Sequence, residues 1–239
     1  MSKLSQNKVQ KWYDKDYKLH GFKAQRFYPN EELLRFMGRN YFQYKKEVRK
    51  NIKILELGCG SCANLWMISK EGFDAYGVDI SGESIKLGKE MLNYWKTNAN
   101  LKKASITSLP YKKNYFDVVI DIYGTCCLTE KDFFKCLKET HRVLKKDGKF
   151  FSFTLGKNSD EFINHSPSKL IDKSTLADVK RIGSPHFGNN YPLRYIHRDE
   201  VKNIMKKYNF KIKYLETNNR TYFNRSENIE FISIEAIKI

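Results

Sequence analysis

Glu56, Gly58, Cys59, Gly60 and Asp79 are the residues of this chain whose types and spacing first suggest chemistry. Glycines in a tight turn let a ligand approach the backbone closely. A carboxylate that ends the following strand can accept both hydroxyls of a ribose. The pattern therefore points to a nucleoside-containing cofactor. A second constellation lies at Gly183-Ser184-Pro185-His186-Phe187-Gly188-Asn189-Asn190-Tyr191. His186 sits on a loop constrained by proline and glycine. Its imidazole is the side chain suited to take a proton near neutral pH, which makes it the candidate catalytic residue. Asn189, Tyr191 and Arg194 beside it are candidates to hold a polyhydroxylated or phosphorylated substrate.

These residues need a scaffold, and the surrounding sequence predicts one. Residues 52–57 (IKILEL) read as a buried strand and residues 63–70 as a helix ended by Gly72. Residues 75–80 read as a second strand that closes on Asp79. Strand and helix go on alternating to residue 155, which demands a mainly parallel sheet with helices on both faces. Residues 9–17 and 31–44 look helical and precede this core, with Pro29-Asn30 starting the second helix. Residues 156–196 break the rhythm with Pro167, Pro185 and Pro192 and read as a long irregular insert, which is usually functional or disordered. Helix returns at residues 198–208, followed by two long strands at 210–217 and 229–239. The expected fold is an α/β three-layer sandwich. Its mainly parallel seven-stranded sheet ends in an antiparallel hairpin. The expected divisions are an N-terminal helical lid over residues 1–50, a cofactor-binding core over 51–155, a substrate-binding cap over 156–197 and a C-terminal helix and hairpin over 198–239.

Which nucleoside cofactor is meant depends on more than the glycines. The run Gly58-Cys59-Gly60-Ser61-Cys62-Ala63 also satisfies a dinucleotide spacing, so spacing alone leaves both classes open. The form E-L-G-C-G at residues 56–60 resembles motif I of the class I S-adenosylmethionine-dependent methyltransferases. G-V-D-I-S at 77–81 looks like that family's next motif. L-P-Y-K-K-N-Y-F-D-V-V at 109–119 and E-T-H-R-V-L-K-K-D-G at 139–148 are similar to two more, in the right order. The resemblance implies S-adenosyl-L-methionine as cofactor and S-adenosyl-L-homocysteine as product. It sets Gly58, Cys59 and Gly60 under the methionyl part and gives Glu56 the turn or the ammonium group. It gives Asp79 the ribose hydroxyls and packs Ile80 on the adenine. Ser105 and Ile106 fall near the adenine amine, where the family often has aspartate in place of Ser105. Asp121 and Ile122 end the fourth strand beside the transferable methyl, with Tyr123 next to the substrate. Lys146-Asp147-Gly148 departs from the family's Lys-Pro-Gly-Gly at a distal turn, and Cys62 stands where many members have a third glycine.

Composition bounds the rest. A chain of 239 residues buries one full core with room for a cap. No apolar run approaches the roughly 20 residues that span a bilayer. Residues 1–18 lack the apolar stretch of a secretion signal. Five cysteines without a framework pattern suggest free thiols in a reducing cytoplasm. Cys59-x-x-Cys62 with Cys126-Cys127 has the donor types of a zinc site, but both pairs fall at cofactor positions, so no metal is expected. The net charge of +17 permits RNA binding or attraction of a phosphate-bearing substrate, yet the lysines are scattered as on a solvated surface. The chain has no N-P-P-Y or D-P-P-Y tetrapeptide, no Pro-Cys nucleophile pair and no appended RNA-binding module, which argues against a nucleic-acid acceptor.

The expectation is thus methyl transfer to a small molecule, by O-methylation of a sugar or a nucleotide-linked metabolite. Alternatives are N-methylation of a small amine, methylation of RNA, and a non-catalytic binding module on the same fold. The expected protein is a monomer or homodimer.

Overall fold

The structure, a computed structural model, describes residues 3–239. Three helices come first: α1 (Lys3–His20), α2 (Glu31–Asn40) and α3 (Lys46–Arg49), with a 3-10 turn at Gly21–Ala24. Asn30 starts α2, its side-chain oxygen accepting from the backbone N–H groups of Glu32 and Leu33. The alternating core follows as β1 (Lys53–Leu57), α4 (Leu65–Lys70), β2 (Asp74–Asp79), α5 (Gly82–Tyr94), β3 (Asn100–Lys103), β4 (Phe116–Ile122), α6 (Glu130–Val143) and β5 (Leu144–Gly156). The next segment contains α7 (Asp160–Ile163), β6 (Leu170–Asp172), β7 (Thr175–Leu176) and β8 (Leu193–Ile196). The chain ends with α8 (Arg198–Lys207), β9 (Phe210–Tyr222) and β10 (Glu227–Lys238).

Strands β3-β2-β1-β4-β5 pair in parallel, β10 runs antiparallel to β5, and β9 antiparallel to β10. These are the expected parallel sheet and closing hairpin. The expected count of seven strands is corrected to ten, because β8 extends the end of β5 and carries β7 and β6. Strands this short show no usable alternation, so the sequence read as irregular there. β3 is short and ends at Lys103. Residues 104–108 then turn, with the Ala104 N–H donating to the Asp79 carbonyl and the Ser105 and Thr107 hydroxyls 2.9 Å apart.

Alternation along the central strands sorts side chains into two cores. Ile54, Val118, Ile120, Phe151 and Phe153 face one way and pack with Leu33 and Phe36 of α2 and Leu65 and Ile68 of α4. Leu55, Leu57, Val119, Phe150 and Ile232 face the other way and pack with Phe133 and Leu137 of α6 and Val201 and Met205 of α8. This is the three-layer sandwich. Strand order reverses between β1 and β4, and a sheet of this kind opens a crevice at the carboxyl ends of the strands there. Among the described residues no helix is long and apolar enough to cross a membrane.

Candidate active site

Where β1 ends, the chain turns sharply through Gly58 and Gly60, at φ of 65° and 51°. Only glycine adopts that backbone without strain. Space is also short: a β-carbon on Gly58 would lie 3.1 Å from the α-carbon of Gly124, and one on Gly60 would lie 2.9 Å from the Tyr17 hydroxyl. The turn is the floor of a cavity of about 520 Å³. Val9, Tyr13 and Tyr17 of α1 form its roof.

Asp79, at the end of β2, accepts from the Gly60 N–H at 2.9 Å and the Ser81 N–H at 2.8 Å, one on each carboxylate oxygen. Burial pushes its carboxyl above the usual range, and the two backbone donors oppose that. Ser81 caps α5 by accepting from the Ser84 N–H and donates its own hydroxyl to Asp14 of α1 at 2.5 Å. The first helix is thereby tied to the strand that holds Asp79.

Glu56 is buried in β1. One oxygen accepts from the Asn64 amide at 2.6 Å, and the other, Oε2, has no partner. Burial raises its carboxyl to about 8, against the pull of Asn64 and of the Arg26 charge. A half-satisfied buried carboxylate is costly, and such groups cluster where ligands bind.

The opposite wall comes from β4, the segment between β7 and β8, and β8 itself. His186, Tyr191 and Leu193 line it, with Ile122 and Tyr123. The Nδ1 atom of His186 lies 3.0 Å from both carboxylate oxygens of Glu161 in α7. Glu161 is fully buried and also accepts from the Tyr195 hydroxyl at 2.8 Å and from Ser184. Burial alone would raise the Glu161 carboxyl. His186, Ser184 and Tyr195 outweigh it and hold the group below its usual range. An ionised glutamate only accepts, so Nδ1 of His186 carries a proton, and in the neutral imidazole Nε2 is the atom that holds the lone pair. Tyr191 meets Tyr13 across the cavity, the two hydroxyls 3.2 Å apart.

Glu56, Gly58, Cys59, Gly60, Asp79, Ile80, Ser105, Ile106, Ile122, Tyr123, His186 and Tyr191 all line this one cavity. Three expected residues do not, and their assignments are corrected. Asp121 is buried behind the wall, where it accepts from the backbone and hydroxyl of Thr125 and the hydroxyl of Ser152. Asn189 braces its own loop, accepting from the Val179 N–H and donating to the Tyr191 carbonyl. Arg194 lies with its guanidinium carbon 3.6 Å from the Phe133 ring centre, and its Nε and Nη2 have no partner. Its neighbour Leu193 takes the cavity side of β8, and alternation sends Arg194 to the other face. Glu161, Asn64 and Arg26 are the residues sequence reasoning missed as site residues. Asn64 follows the glycine turn closely enough to have been found. Glu161 stands in the four-residue helix α7 and Arg26 just after the 3-10 turn, segments too short to give a periodic signal. Of the four cysteines read as donor pairs, Cys59 packs against Gly77 and Cys62 against Gly88, Cys126 meets Thr154, and Cys127 meets Tyr13.

Residues 54–148 match a family model described as a methyltransferase domain. An uncharacterized protein of Methanocaldococcus jannaschii is 32% identical over 149 residues, which are 62% of this chain and 49% of that protein. The chain thus spans about half the length of that relative. A ubiquinone biosynthesis O-methyltransferase of Pelagibacter ubique is 26% identical over 197 residues, covering 72% of this chain and 78% of the relative. Among solved structures, magnesium protoporphyrin IX methyltransferase from Synechocystis PCC 6803, with bound SAH, superposes with a TM-score of 0.66. It is 11% identical and covers 98% of this chain and 100% of its own, a likeness of fold alone.

Proposed function

We propose that this chain, whose residues 54–148 form a class I S-adenosylmethionine-dependent methyltransferase domain, methylates a hydroxyl group of a small molecule with His186 as general base. One observation carries the proposal. A histidine held in a single tautomer by a buried carboxylate shares a cavity with the glycine turn.

The cavity fits the cofactor on its own features. Glu56 Oε2 is a buried acceptor without a donor, and the floor has no room for a β-carbon at Gly58 or Gly60. Asp79 keeps a lone pair on each oxygen beyond its two backbone bonds, as a ribose diol requires. Ile80, Ser105 and Ile106 line the adjoining wall, where a base would pack. When bound, S-adenosylmethionine supplies a methyl group on a sulfonium sulfur and leaves as S-adenosylhomocysteine. The protein contributes position, exclusion of water and removal of one proton. Tyr13, Tyr17 and Tyr191 cover the cavity. Nε2 of His186 takes the hydroxyl proton of the acceptor, and Glu161 stabilises the imidazolium that results.

The acceptor class follows from the wall. The two polar residues expected to hold a sugar, Asn189 and Arg194, are turned to structural tasks. Tyr13, Tyr123, Tyr191, Ile122, Leu155 and Leu193 face the space instead. That lining suits a planar or apolar hydroxyl compound, such as a phenol, better than the sugar or nucleotide-linked metabolite expected from sequence. The test offers methyl-labelled S-adenosylmethionine with separate pools of phenols, sugars, nucleotide sugars, amines and RNA. Label in the phenol pool, lost in His186→Ala while S-adenosylhomocysteine still binds, supports the proposal. Unchanged turnover in that variant, or label in amines or RNA, refutes it.

A further inference from the structure

A second cavity, of about 630 Å³, opens between α1 and the loop that joins β7 to β8. The helix divides its residues between the two cavities. Val9, Tyr13 and Tyr17 line the catalytic one at four-residue spacing, and Lys8, Lys11, Trp12 and Lys15 line the other. The loop divides in the same way: His186 and Tyr191 line the first cavity, Gly188 and Asn190 the second. Between them stands a partition of rings, with Tyr191 5.0 Å from Trp12 and 5.4 Å from Tyr13, centre to centre.

Charge sets the second cavity apart. Its lysines stand at i, i+3 and i+7 of α1, so they form one row over about 10 Å of helix. Like charges at that spacing repel and weaken a helix. Among the described residues none of the three has an ion-pair partner. The acidic residues of the same helix are engaged elsewhere. Asp14 accepts from Ser81 and from Gln10, and Asp16 lies 3.8 Å from His20. Across the cavity, the exposed side-chain amide of Asn190 has no hydrogen-bond partner among the described residues. A β-carbon at Gly188 would meet nothing within 4 Å, so that lip is open. We propose that this cavity is a second ligand site, which binds a phosphate-bearing compound. The three lysines take its phosphate oxygens and Asn190 donates to it from the loop. A phosphate carries up to about two charges and three strong acceptor oxygens, so it can bridge neighbouring ammonium groups in the row. Lysine serves there as a compact point charge on a flexible stem. The site needs neither the cofactor nor the transfer reaction, so it stands independently of the function proposed above.

Calorimetric titration of the full chain with inorganic pyrophosphate and, separately, with UDP is the experiment, at about 0.15 M salt to screen distant charges. A net charge of +17 attracts any anion, so two triple variants of equal charge are compared. One is Lys8→Gln, Lys11→Gln and Lys15→Gln. The other is Lys202→Gln, Lys206→Gln and Lys211→Gln, on α8 and β9. The first is expected to weaken pyrophosphate by at least about tenfold, and the second to leave it within about threefold. The first should also melt no lower than the unaltered protein, because it removes like charges from one helix face. Tighter binding of UDP, with the excess lost in Trp12→Leu, would support the site and identify a nucleotide whose base packs on the indole. Equal binding of the two probes would support it as a site for the phosphate group alone. Equal losses in the two triple variants would assign the attraction to net charge and overturn the proposal. So would failure of the unaltered protein to bind either probe at millimolar concentration.

Discussion

The hydroxyls of Tyr13 and Tyr191 stand 3.2 Å apart and join the first helix to the segment after β7 above a single cavity. Tyr191 is buried and Tyr13 half-buried, and loss of solvent pushes both phenols above their usual range. A neutral bond of this kind contributes about 1 kcal/mol. A double-mutant cycle of Tyr13→Phe and Tyr191→Phe in urea unfolding should therefore return a coupling of roughly 0.5–1.5 kcal/mol. A coupling indistinguishable from zero would mean that the two segments close independently.

Gly60 carries both a left-handed backbone and a crowded neighbour. Gly60→Ala is expected to destabilise the protein by roughly 1–2 kcal/mol and to weaken S-adenosylhomocysteine at least tenfold. Adding Tyr17→Ala removes the hydroxyl that the new methyl would meet. Calorimetry of the double variant should recover part of the affinity, and no recovery would locate the whole effect in the backbone.

The Glu56 carboxyl titrates near 8 in the folded chain and at about 4.3 in an unfolded one. Between those values the folded state holds a proton that the unfolded state has released. Stability from this group therefore falls as pH rises through the window, and the full cost is present above pH 8. Without ligand, Glu56→Gln should match the unaltered protein near pH 4 and melt at a higher temperature above pH 8. Asp79 and Asp121, which burial also raises, keep some downward slope in both proteins. Parallel melting curves across the whole range would refute the assignment.

Glu161 works in the opposite sense, since its folded carboxyl is held below the usual range. Its stabilisation is complete above the unfolded value and disappears as pH falls through the folded one. Glu161→Gln should cost on the order of 1–3 kcal/mol at neutral pH, with the gap to the unaltered protein closing in acid. If it also orients the base, kcat should fall more than KM rises. A variant with unchanged kcat and only lower stability would reduce Glu161 to a brace for the cap.

Arg194 provides a contrast. It packs on Phe133 outside the cavity, so Arg194→Met should leave the KM for the acceptor within about twofold. A large rise in KM would return Arg194 to the substrate role that the sequence suggested.

Residues whose function is tied to regular elements were legible in the sequence. Gly58, Gly60 and Asp79 sit at the ends of strands long enough to show their apolar pattern, and the turn between them has few solutions. Asp121 also ends such a strand, but the sequence could not show that Thr125 and Ser152 would absorb its carboxylate. The cap was harder. β8 has four residues, so whether Leu193 or Arg194 faced inward depended on a pairing with β5 that only the folded chain reveals. His186 was found by residue type and loop context. Glu161, 25 positions away in sequence, was not, because a contact between a four-residue helix and a loop leaves no period to read.

Ser81 connects three tasks that are usually separate. Its backbone is held by Asp79, its hydroxyl caps α5, and the same hydroxyl donates to Asp14 on the first helix. The seat of one ligand and the cover over the other thus share a single hinge point, so occupancy at either alters the free energy at both. Linkage then requires reciprocity: whatever factor the cofactor adds to acceptor affinity, the acceptor returns to the cofactor. The two ligands should enter as a cooperative pair, with Ser81→Ala lowering their mutual enhancement more than the affinity of either alone.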